Sequence, residues 1–239
     1  MIYMKPTINK IPKHLGIIID GNRRFAKRLM IKPWKAHEWG ARKVEELLNW
    51  CKEFKIKELT IYGFSIENFN RPKEEFEFIM DLFRKEFSAL LIDKRVDEDK
   101  IKINFIGRIE MFPKDIQELM AKNMNRSKNY DNFIINFAMA YGGRAEIIDA
   151  TKKIAEQVKK GELDLNDINE EVFKKNLYLE SEPDLIIRTS EKRLSGFLLW
   201  QGVYAELEFL PDKLWPEFEK KDFIKCLEEY SKRERRFGK

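Results

Sequence analysis

The stretch HLGIIID, from His14 to Asp20, is followed directly by the turn residues Gly21 and Asn22. A short continuous apolar run that ends in an acid predicts a strand buried on both faces, as in parallel sheets. Similar apolar runs recur along the chain. They are Leu59 to Phe64, Ile101 to Ile106, Phe133 to Ala140 and Leu185 to Arg188.

The segments between these runs have a helical pattern. From Val44 to Phe54 and from Phe76 to Leu91, apolar residues recur every three or four positions. Pro72 and Pro113 stand where helices are expected to begin, because proline suits a first turn. Strands that alternate with helices predict an α/β fold with a central, mostly parallel sheet flanked by helices. The ligand crevice of such a sheet lies beyond the carboxyl ends of its strands.

Composition limits the class of protein. The 239 residues are 43% hydrophobic, which is enough for one sizeable core, and no repeat or flexible linker divides residues 1–239 into domains. The 46 Lys and Arg exceed the 41 Asp and Glu only slightly, so a nucleic-acid partner is not indicated. No signal-like or membrane-spanning run is present, and Cys51 and Cys226 are expected to be reduced. We therefore expect a cytoplasmic protein of a single domain.

The first predicted strand leads into a polar loop, Asp20 to Phe25. An acid at a strand end, a tight Gly-Asn turn and the arginines Arg23 and Arg24 are typical of a phosphate cradle with a metal ligand beside it. The spacing is equally compatible with a strand-to-helix turn in which Asp20 caps the helix and the arginines face solvent.

Two later strand ends also carry polar side chains. The second run is followed by Ser65, Glu67, Asn68 and Arg71. Turn formation explains the serine but leaves the glutamate and arginine as solvent charges. Arg188 ends another run and precedes Arg193 and Ser195, a combination that phosphate oxygens favour. Glu206 is a lone acid in an apolar stretch, and an outward strand position explains it as well as a functional role does.

Missing signatures narrow the chemistry further. The sequence has no Walker-type GxxxxGK[ST], GxGxxG, GxSxG or HExxH motif, and His14 and His37 are its only histidines. The DDxxD cluster of trans-type prenyl synthases is absent too. Arginines with isolated acids and amides remain, and these suit a diphosphate and one Mg²⁺ ion.

Five segments together resemble the cis-prenyltransferases, the undecaprenyl diphosphate synthase group. They follow the family's order and are HLGIIIDGNRRFAK, YGFSIENFNRP, INFAMAYGGRAEI, IIRTSEKRLSGFLLWQGVYAEL and RERRFG. The GNRR loop, found in archaeal and eukaryotic members, and a composition rich in Lys, Glu and Ile favour an archaeal member. The resemblance implies a homodimeric α/β domain with an apolar tunnel.

The implied activity is Mg²⁺-dependent, sequential addition of isopentenyl diphosphate to an allylic diphosphate, farnesyl or geranylgeranyl. The expected product is a long-chain Z-polyprenyl diphosphate that serves as a lipid carrier for glycans. Such a product cannot leave into water, so we expect peripheral membrane contact for its release. The alternatives are a non-catalytic partner subunit of a prenyltransferase, a nucleic-acid-binding protein with a basic tail, and a phosphate-ester hydrolase.

The resemblance also implies residue roles. Asp20 and Asn68 are the expected catalytic residues, with Asp20 and Glu206 as ligands of Mg²⁺. The family often assigns the asparagine as proton acceptor, but the departing diphosphate is physically the easier base. In a dimer, Arg236 and Gly238 would reach the partner's active site. The other expected substrate-binding residues are Gly21, Asn22, Arg23, Arg24, Phe25, His37, Ser65, Ile66, Glu67, Phe69, Arg71, Arg188, Arg193, Leu194 and Ser195.

The tunnel wall and one substrate contact are less defined by the sequence. Pro33 stands where family members usually carry an arginine, and Lys32 and Lys35 are the candidate substitutes. The pattern favours ordinary core packing for each single candidate wall residue. The candidates are Phe83, Phe87, Leu91, Ile103, Phe105, Ile135 and Phe137.

Overall fold

A computed structural model describes residues 8–233 of the chain, and a six-stranded sheet lies at its centre. The strands are His14–Ile18 (β1), Glu58–Ser65 (β2), Ile101–Ile106 (β3), Phe133–Tyr141 (β4), Leu185–Thr189 (β5) and Glu206–Leu210 (β6). Their order is β3-β4-β2-β1-β5-β6, and every neighbouring pair is parallel. The predicted parallel α/β sheet is confirmed.

Helices connect the strands and cover the sheet. Within the described residues, the α-helices are Asn22–Arg28 (α1), Lys35–Glu53 (α2), Lys73–Ile92 (α3), Lys94–Glu98 (α4), Lys114–Ser127 (α5), Gly143–Lys159 (α6), Glu170–Asn176 (α7) and Lys220–Lys232 (α8). As predicted, Pro72 and Pro113 each stand directly before a helix, α3 and α5. No helix in this described part is both long and apolar enough to cross a membrane.

β6 is the strand that the apolar runs did not predict. It lies at the edge of the sheet, all five of its residues are partly exposed, and acidic residues alternate with apolar ones in it. The five predicted strands are more deeply buried, and every residue of β1 is buried. Continuous apolarity therefore identifies the inner strands but not this edge strand.

The strand register brings the polar loops together. β1 lies between β2 and β5, with Ile18 beside Tyr62 on one side and Arg188 on the other. Since parallel strands end at the same edge of the sheet, the loops that follow β1, β2 and β5 converge there. These loops carry Asp20, Ser65 and the residues after Thr189, as the crevice rule predicts.

Candidate active site

The loop after β1 is fixed by the neighbouring strand rather than by helix capping. Gly21 adopts φ 111° and a Cβ atom there would lie 3.0 Å from the Leu214 backbone, so this turn requires glycine. The Thr189 hydroxyl donates to the Asp20 carbonyl at 2.7 Å. The α1 N-cap is Gly21 and has no side-chain cap, so the interpretation of Asp20 as a capping acid is wrong.

The Asp20 carboxylate instead faces two arginines. Its Oδ2 accepts hydrogen bonds from Nη2 of Arg188 at 2.8 Å and Nη2 of Arg24 at 3.2 Å. No residue of the described chain donates to Oδ1. Arg24 also contacts Glu191 at 2.9 Å, which ties the β1 loop to the β5 loop.

The oxygen atoms available at Asp20 suit a cation that a substrate also binds. Among residues 8–233, no group of three or more His, Cys, Asp or Glu side chains could hold a metal. Magnesium in proteins often uses one or two carboxylates together with substrate phosphates and water. The open Oδ1 of Asp20, with the arginines Arg24 and Arg188 beside it, fits that pattern.

Arg188, Arg193 and Ser195 lie together, as predicted. Arg188 is 3% exposed, and its Nη1 donates to Ser195 Oγ at 2.7 Å and to the Arg193 carbonyl. Arg193 Nε donates to the same hydroxyl at 3.2 Å. Arg188 Nε is buried and has no partner within the described chain. Leu194 packs into the apolar cluster behind this loop.

The loop after β2 is a short 3₁₀ helix that holds Asn68 in place. The Ser65 N–H donates to Asn68 Oδ1 at 3.1 Å, in a reciprocal capping arrangement. The amide oxygen is thus engaged, and Asn68 offers its NH₂ group as a donor to a ligand. Ser65, Glu67 and Asn68 line the cavity described below, whereas Ile66 and Phe69 do not. Phe69 packs edge-on against Phe64 instead, at 5.1 Å.

A buried carboxylate that the sequence analysis missed joins the first two loops. Glu75 is 1% exposed, and its Oε1 accepts from Arg71 Nη1 at 2.6 Å and lies 3.4 Å from His37 Nε2. Arg23 Nε lies 3.6 Å from the other oxygen. Burial opposes its ionisation, but His37, Arg71 and Arg23 outweigh that effect and lower the pKa of Glu75 to about 2. The i, i+4 spacing of Arg71 and Glu75 was the available sequence signal.

His37 is held neutral in this cluster. Burial is the main cause of its lowered pKa, and the positive charge of Arg71 adds to the effect. His37 Nε2 lies 3.4 Å from Glu75 Oε1 and 3.2 Å from Arg71 Nη1. In the tautomer with the proton on Nε2, this nitrogen donates to Glu75, and that hydrogen bond favours the ionised carboxylate.

Two adjoining cavities meet at this cluster. A polar pocket of about 360 Å³ is lined by Ile19, Asp20, Gly21, Asn22, Arg23, Arg24, His37, Arg71 and Glu191. A second cavity of about 820 Å³ shares Asp20, Asn22, His37 and Arg71 with it and continues between α2 and α3. Its apolar lining includes Val44, Leu48, Ile61, Phe64, Ile79, Leu82, Phe83, Phe87, Leu90, Phe137 and Met139. This apolar cavity with a charged end corresponds to the expected tunnel.

The wall candidates divide between cavity and core. Phe83, Phe87 and Phe137 line the cavity, and Leu90 lines it in place of the predicted Leu91. The other three candidates, Ile103, Phe105 and Ile135, belong to the packed core. Phe25 also lies outside both linings and packs against Trp39 at 5.0 Å.

A family model described as "Putative undecaprenyl diphosphate synthase" matches residues 18–238. The chain belongs to this family. A tritrans,polycis-undecaprenyl-diphosphate synthase (geranylgeranyl-diphosphate specific) from Pyrococcus abyssi is 48% identical over 232 residues, 96% of this chain and 88% of that protein. The resemblance to cis-prenyltransferases and to their archaeal members is confirmed, as is the prediction of a transferase that makes a polyprenyl diphosphate.

Solved structures of the undecaprenyl diphosphate synthase fold agree closely with this chain. Lavandulyl diphosphate synthase from Lavandula x intermedia, in complex with dimethylallyl diphosphate, superposes with a TM-score of 0.90 at 34% identity, covering 95% of this chain and 98% of that one. A probable undecaprenyl diphosphate synthase from Campylobacter jejuni gives 0.79 at 32% identity, covering 96% and 100%. Both comparisons support the fold over almost the full chain.

Not all residues expected from the synthase family meet within one chain. Glu206 begins β6 beside Leu185, at the amino edge of the sheet, whereas Asp20 lies beyond the carboxyl edge. Glu206 pairs there with Arg233 at 2.7 Å. Asp20 and Glu206 of one chain therefore lie at opposite edges of the sheet, because Glu206 starts a strand instead of ending one. The role of Glu206 as a ligand of Mg²⁺ stays a prediction. Arg236 and Gly238 lie outside the described residues.

The candidate substitutes for the family arginine also lie outside the site. Lys32 Nζ lies 5.0 Å from the centre of the Trp34 ring, and neither Lys32 nor Lys35 lines a cavity.

Proposed function

We propose that this chain catalyses the Mg²⁺-dependent, repeated addition of isopentenyl diphosphate to an allylic diphosphate at the Asp20 end of the cavity. The observation that carries the proposal is the large cavity. Arginines line it near Asp20, and apolar side chains line it between α2 and α3. The arginines suit diphosphate groups, and the apolar lining suits a growing hydrocarbon chain.

The two groups of arginines divide the substrates. Arg24, Arg71 and the loop amides of Gly21 and Asn22 would bind the allylic diphosphate in the polar pocket. Arg188 and Ser195, which line the large cavity, would bind isopentenyl diphosphate together with Arg193. Lavandulyl diphosphate synthase, whose structure contains dimethylallyl diphosphate, supports an allylic ligand in this fold.

The reaction follows from charge. When the allylic carbon–oxygen bond breaks, negative charge grows on the departing diphosphate, and the arginines aimed at that group stabilise it. A bound Mg²⁺, held by Asp20 and diphosphate oxygens, would neutralise part of the same charge. The apolar walls keep water from the allylic carbon while the new carbon–carbon bond forms.

The proton that isopentenyl diphosphate loses needs an acceptor. Asn68 Oδ1 already accepts from the Ser65 N–H, and a neutral amide is a poor base. We infer that a diphosphate oxygen accepts the proton and that Asn68 orients the substrate through its NH₂ donor. Glu67, which also lines the cavity, carries the carboxylate of this loop.

The archaeal relatives suggest the starter and product. Their names specify geranylgeranyl diphosphate as the substrate and undecaprenyl diphosphate as the product, and several are 45–48% identical to this chain. We infer the same starter, in preference to farnesyl diphosphate, and a Z-polyprenyl product that serves as a lipid carrier. A product of that size also implies peripheral membrane contact on release.

A homodimer belongs to the same proposal. Glu206 lies far from Asp20 in its own chain, so a metal that used both carboxylates would take Glu206 from a second copy. The tail residues Arg236 and Gly238 would act across the same dimer.

A chain-extension assay tests the proposed function. Purified protein is incubated with Mg²⁺, labelled isopentenyl diphosphate and, separately, dimethylallyl, farnesyl or geranylgeranyl diphosphate. We expect butanol-extractable products with Z double bonds, formed fastest from geranylgeranyl diphosphate. A folded, dimeric protein that forms no product from any starter would refute the proposal and favour a non-catalytic partner subunit.

A further inference from the structure

The far part of the large cavity reaches the surface beside an ion pair. Glu45 of α2 and Arg95 of α4 both line the cavity, and their side chains are 56% and 52% exposed. Arg95 Nη1 donates to Glu45 Oε1 at 2.8 Å. Side chains that border both the cavity and solvent mark a second mouth, separate from the Asp20 end.

This second mouth lies well away from the charged site. Glu45 follows His37 by eight residues on α2, a rise of about 12 Å along the helix axis. Arg95 follows the C-terminal end of α3, a helix about 30 Å long whose first turn carries Glu75. The cavity therefore extends from the diphosphate end, between α2 and α3, to the Glu45–Arg95 pair.

Packed aromatic rings close the floor of the cavity. Phe87 is 5% exposed, and its ring packs 5.4 Å from Phe83, 4.8 Å from Phe105 and 6.4 Å from Phe137. Beyond these rings lie Ile103 and the rest of the close-packed core, which has no space for a chain.

The cavity is also too small for a long product. Its volume of about 820 Å³ is that of a site for a drug-sized ligand. A chain of eleven isoprene units, as in the products that name the archaeal relatives, far exceeds such a ligand. A long product that does not fold back within the cavity extends out of it while its diphosphate end is still bound.

The contact between Glu45 and Arg95 can break easily. Arg95 is anchored on its own side by Asp93, which accepts from Nε at 3.0 Å and Nη2 at 2.7 Å, so only one further hydrogen bond spans the mouth to Glu45. Exposed ion pairs of this kind contribute little to stability. Thermal motion can break the contact with Glu45 without disturbing either helix.

Resting on the proposed function, we propose that the Glu45–Arg95 ion pair closes the outlet through which the hydrocarbon end of a long product leaves the cavity. The pair thereby contributes to product length. Chains shorter than the cavity are made behind the closed pair, and longer chains displace it.

A covalent plug tests this outlet. The two native thiols are fully buried (Cys51) or 2% exposed (Cys226), and burial raises the pKa of both, so a bulky maleimide should react only with an introduced surface cysteine. Glu45→Cys places the plug at the mouth. Lys52→Cys is the matched control: it lies two turns further along α2 and pairs with Asp99 of the α4 region, but it does not line the cavity. Mass spectrometry confirms single labelling and an unlabelled wild type.

Product lengths are then compared before and after labelling. We expect labelled Glu45→Cys to lose the longest products and to accumulate shorter ones, while labelled Lys52→Cys keeps the wild-type distribution. Identical distributions for the two labelled variants, whether unchanged or equally shortened, would overturn the proposed outlet. If the wild type itself makes no product, the proposed function fails, and this inference fails with it.

Discussion

The Glu75 carboxylate gives the sharpest energetic prediction. It is buried among Arg71, His37 and Arg23, which together hold its pKa near 2 against an ordinary value of 4.5. A difference of that size corresponds to about 3 kcal/mol of folding stability at neutral pH. We expect Glu75→Gln, which keeps an acceptor but removes the charge, to lose about that amount.

The pH dependence follows from the sign of the change. Because the folded pKa lies below the unfolded one, the contribution is complete above the unfolded value of 4.5 and is lost as the pH falls towards 2. At pH 3 the same relation leaves about 1 kcal/mol. The destabilisation by Glu75→Gln should therefore shrink between pH 7 and pH 3, while other carboxylates cancel in the comparison.

Urea unfolding of both proteins at the two pH values measures this difference. Glu74→Gln is the matched control, since Glu74 is the adjacent, exposed glutamate on the same helix and should change stability by less than about 0.5 kcal/mol. A loss below about 1 kcal/mol at pH 7, or a loss that is the same at pH 3, would refute the reasoning. In Glu75→Gln, Arg71 loses the carboxylate that positions it. We therefore expect KM for the allylic diphosphate to rise by a larger factor than kcat falls.

Three further substitutions test the diphosphate site, the turn at Gly21 and the apolar cavity. Arg188→Ala removes the partner of Asp20 and a buried guanidinium donor, so pyrophosphate affinity measured by calorimetry should fall at least about tenfold, with partial recovery in Arg188→Lys. Gly21→Ala forces a side chain at φ 111° against Leu214 and should cost about 1–3 kcal/mol in denaturant unfolding. Phe87→Ala opens the cavity floor, so stability should drop by about 3–5 kcal/mol and chromatography should show longer products. An unchanged pyrophosphate affinity would contradict the first prediction, an unchanged stability the second and an unchanged product length the third.

The sequence predicts the inner strands of the sheet well because strands that are buried on both faces are apolar in sequence. The four strands with partners on both sides are largely apolar. β3, at the opposite edge, contains Lys102 and Asn104 but is buried at its apolar positions. β6 differs from it because all five of its residues, including Glu206 and Glu208, are partly exposed. Without β6, the sequence does not show which end of the sheet Glu206 occupies, because its position at the start of that strand decides this.

The site is predicted in its loops but not in its contacts. The strand-end rule places Asp20, Asn68 and Arg188 at one edge of the sheet, and the structure brings their loops together there. Spacing alone does not show that Asn68 Oδ1 is already engaged by a backbone N–H. Nor does it show that Glu75 is buried, because an exposed i, i+4 pair and a buried one have the same sequence pattern.

The most direct test of the central claim is isopentenyl diphosphate incorporation at equal protein concentration by wild type, Asp20→Ala and Asp212→Ala, with geranylgeranyl diphosphate and Mg²⁺. Asp212 is exposed and lines neither cavity, so it controls for the loss of one carboxylate. We predict long Z-polyprenyl products from wild type and Asp212→Ala and almost none from Asp20→Ala. Incorporation by Asp20→Ala at close to the wild-type rate would contradict the assignment of this loop as the diphosphate site.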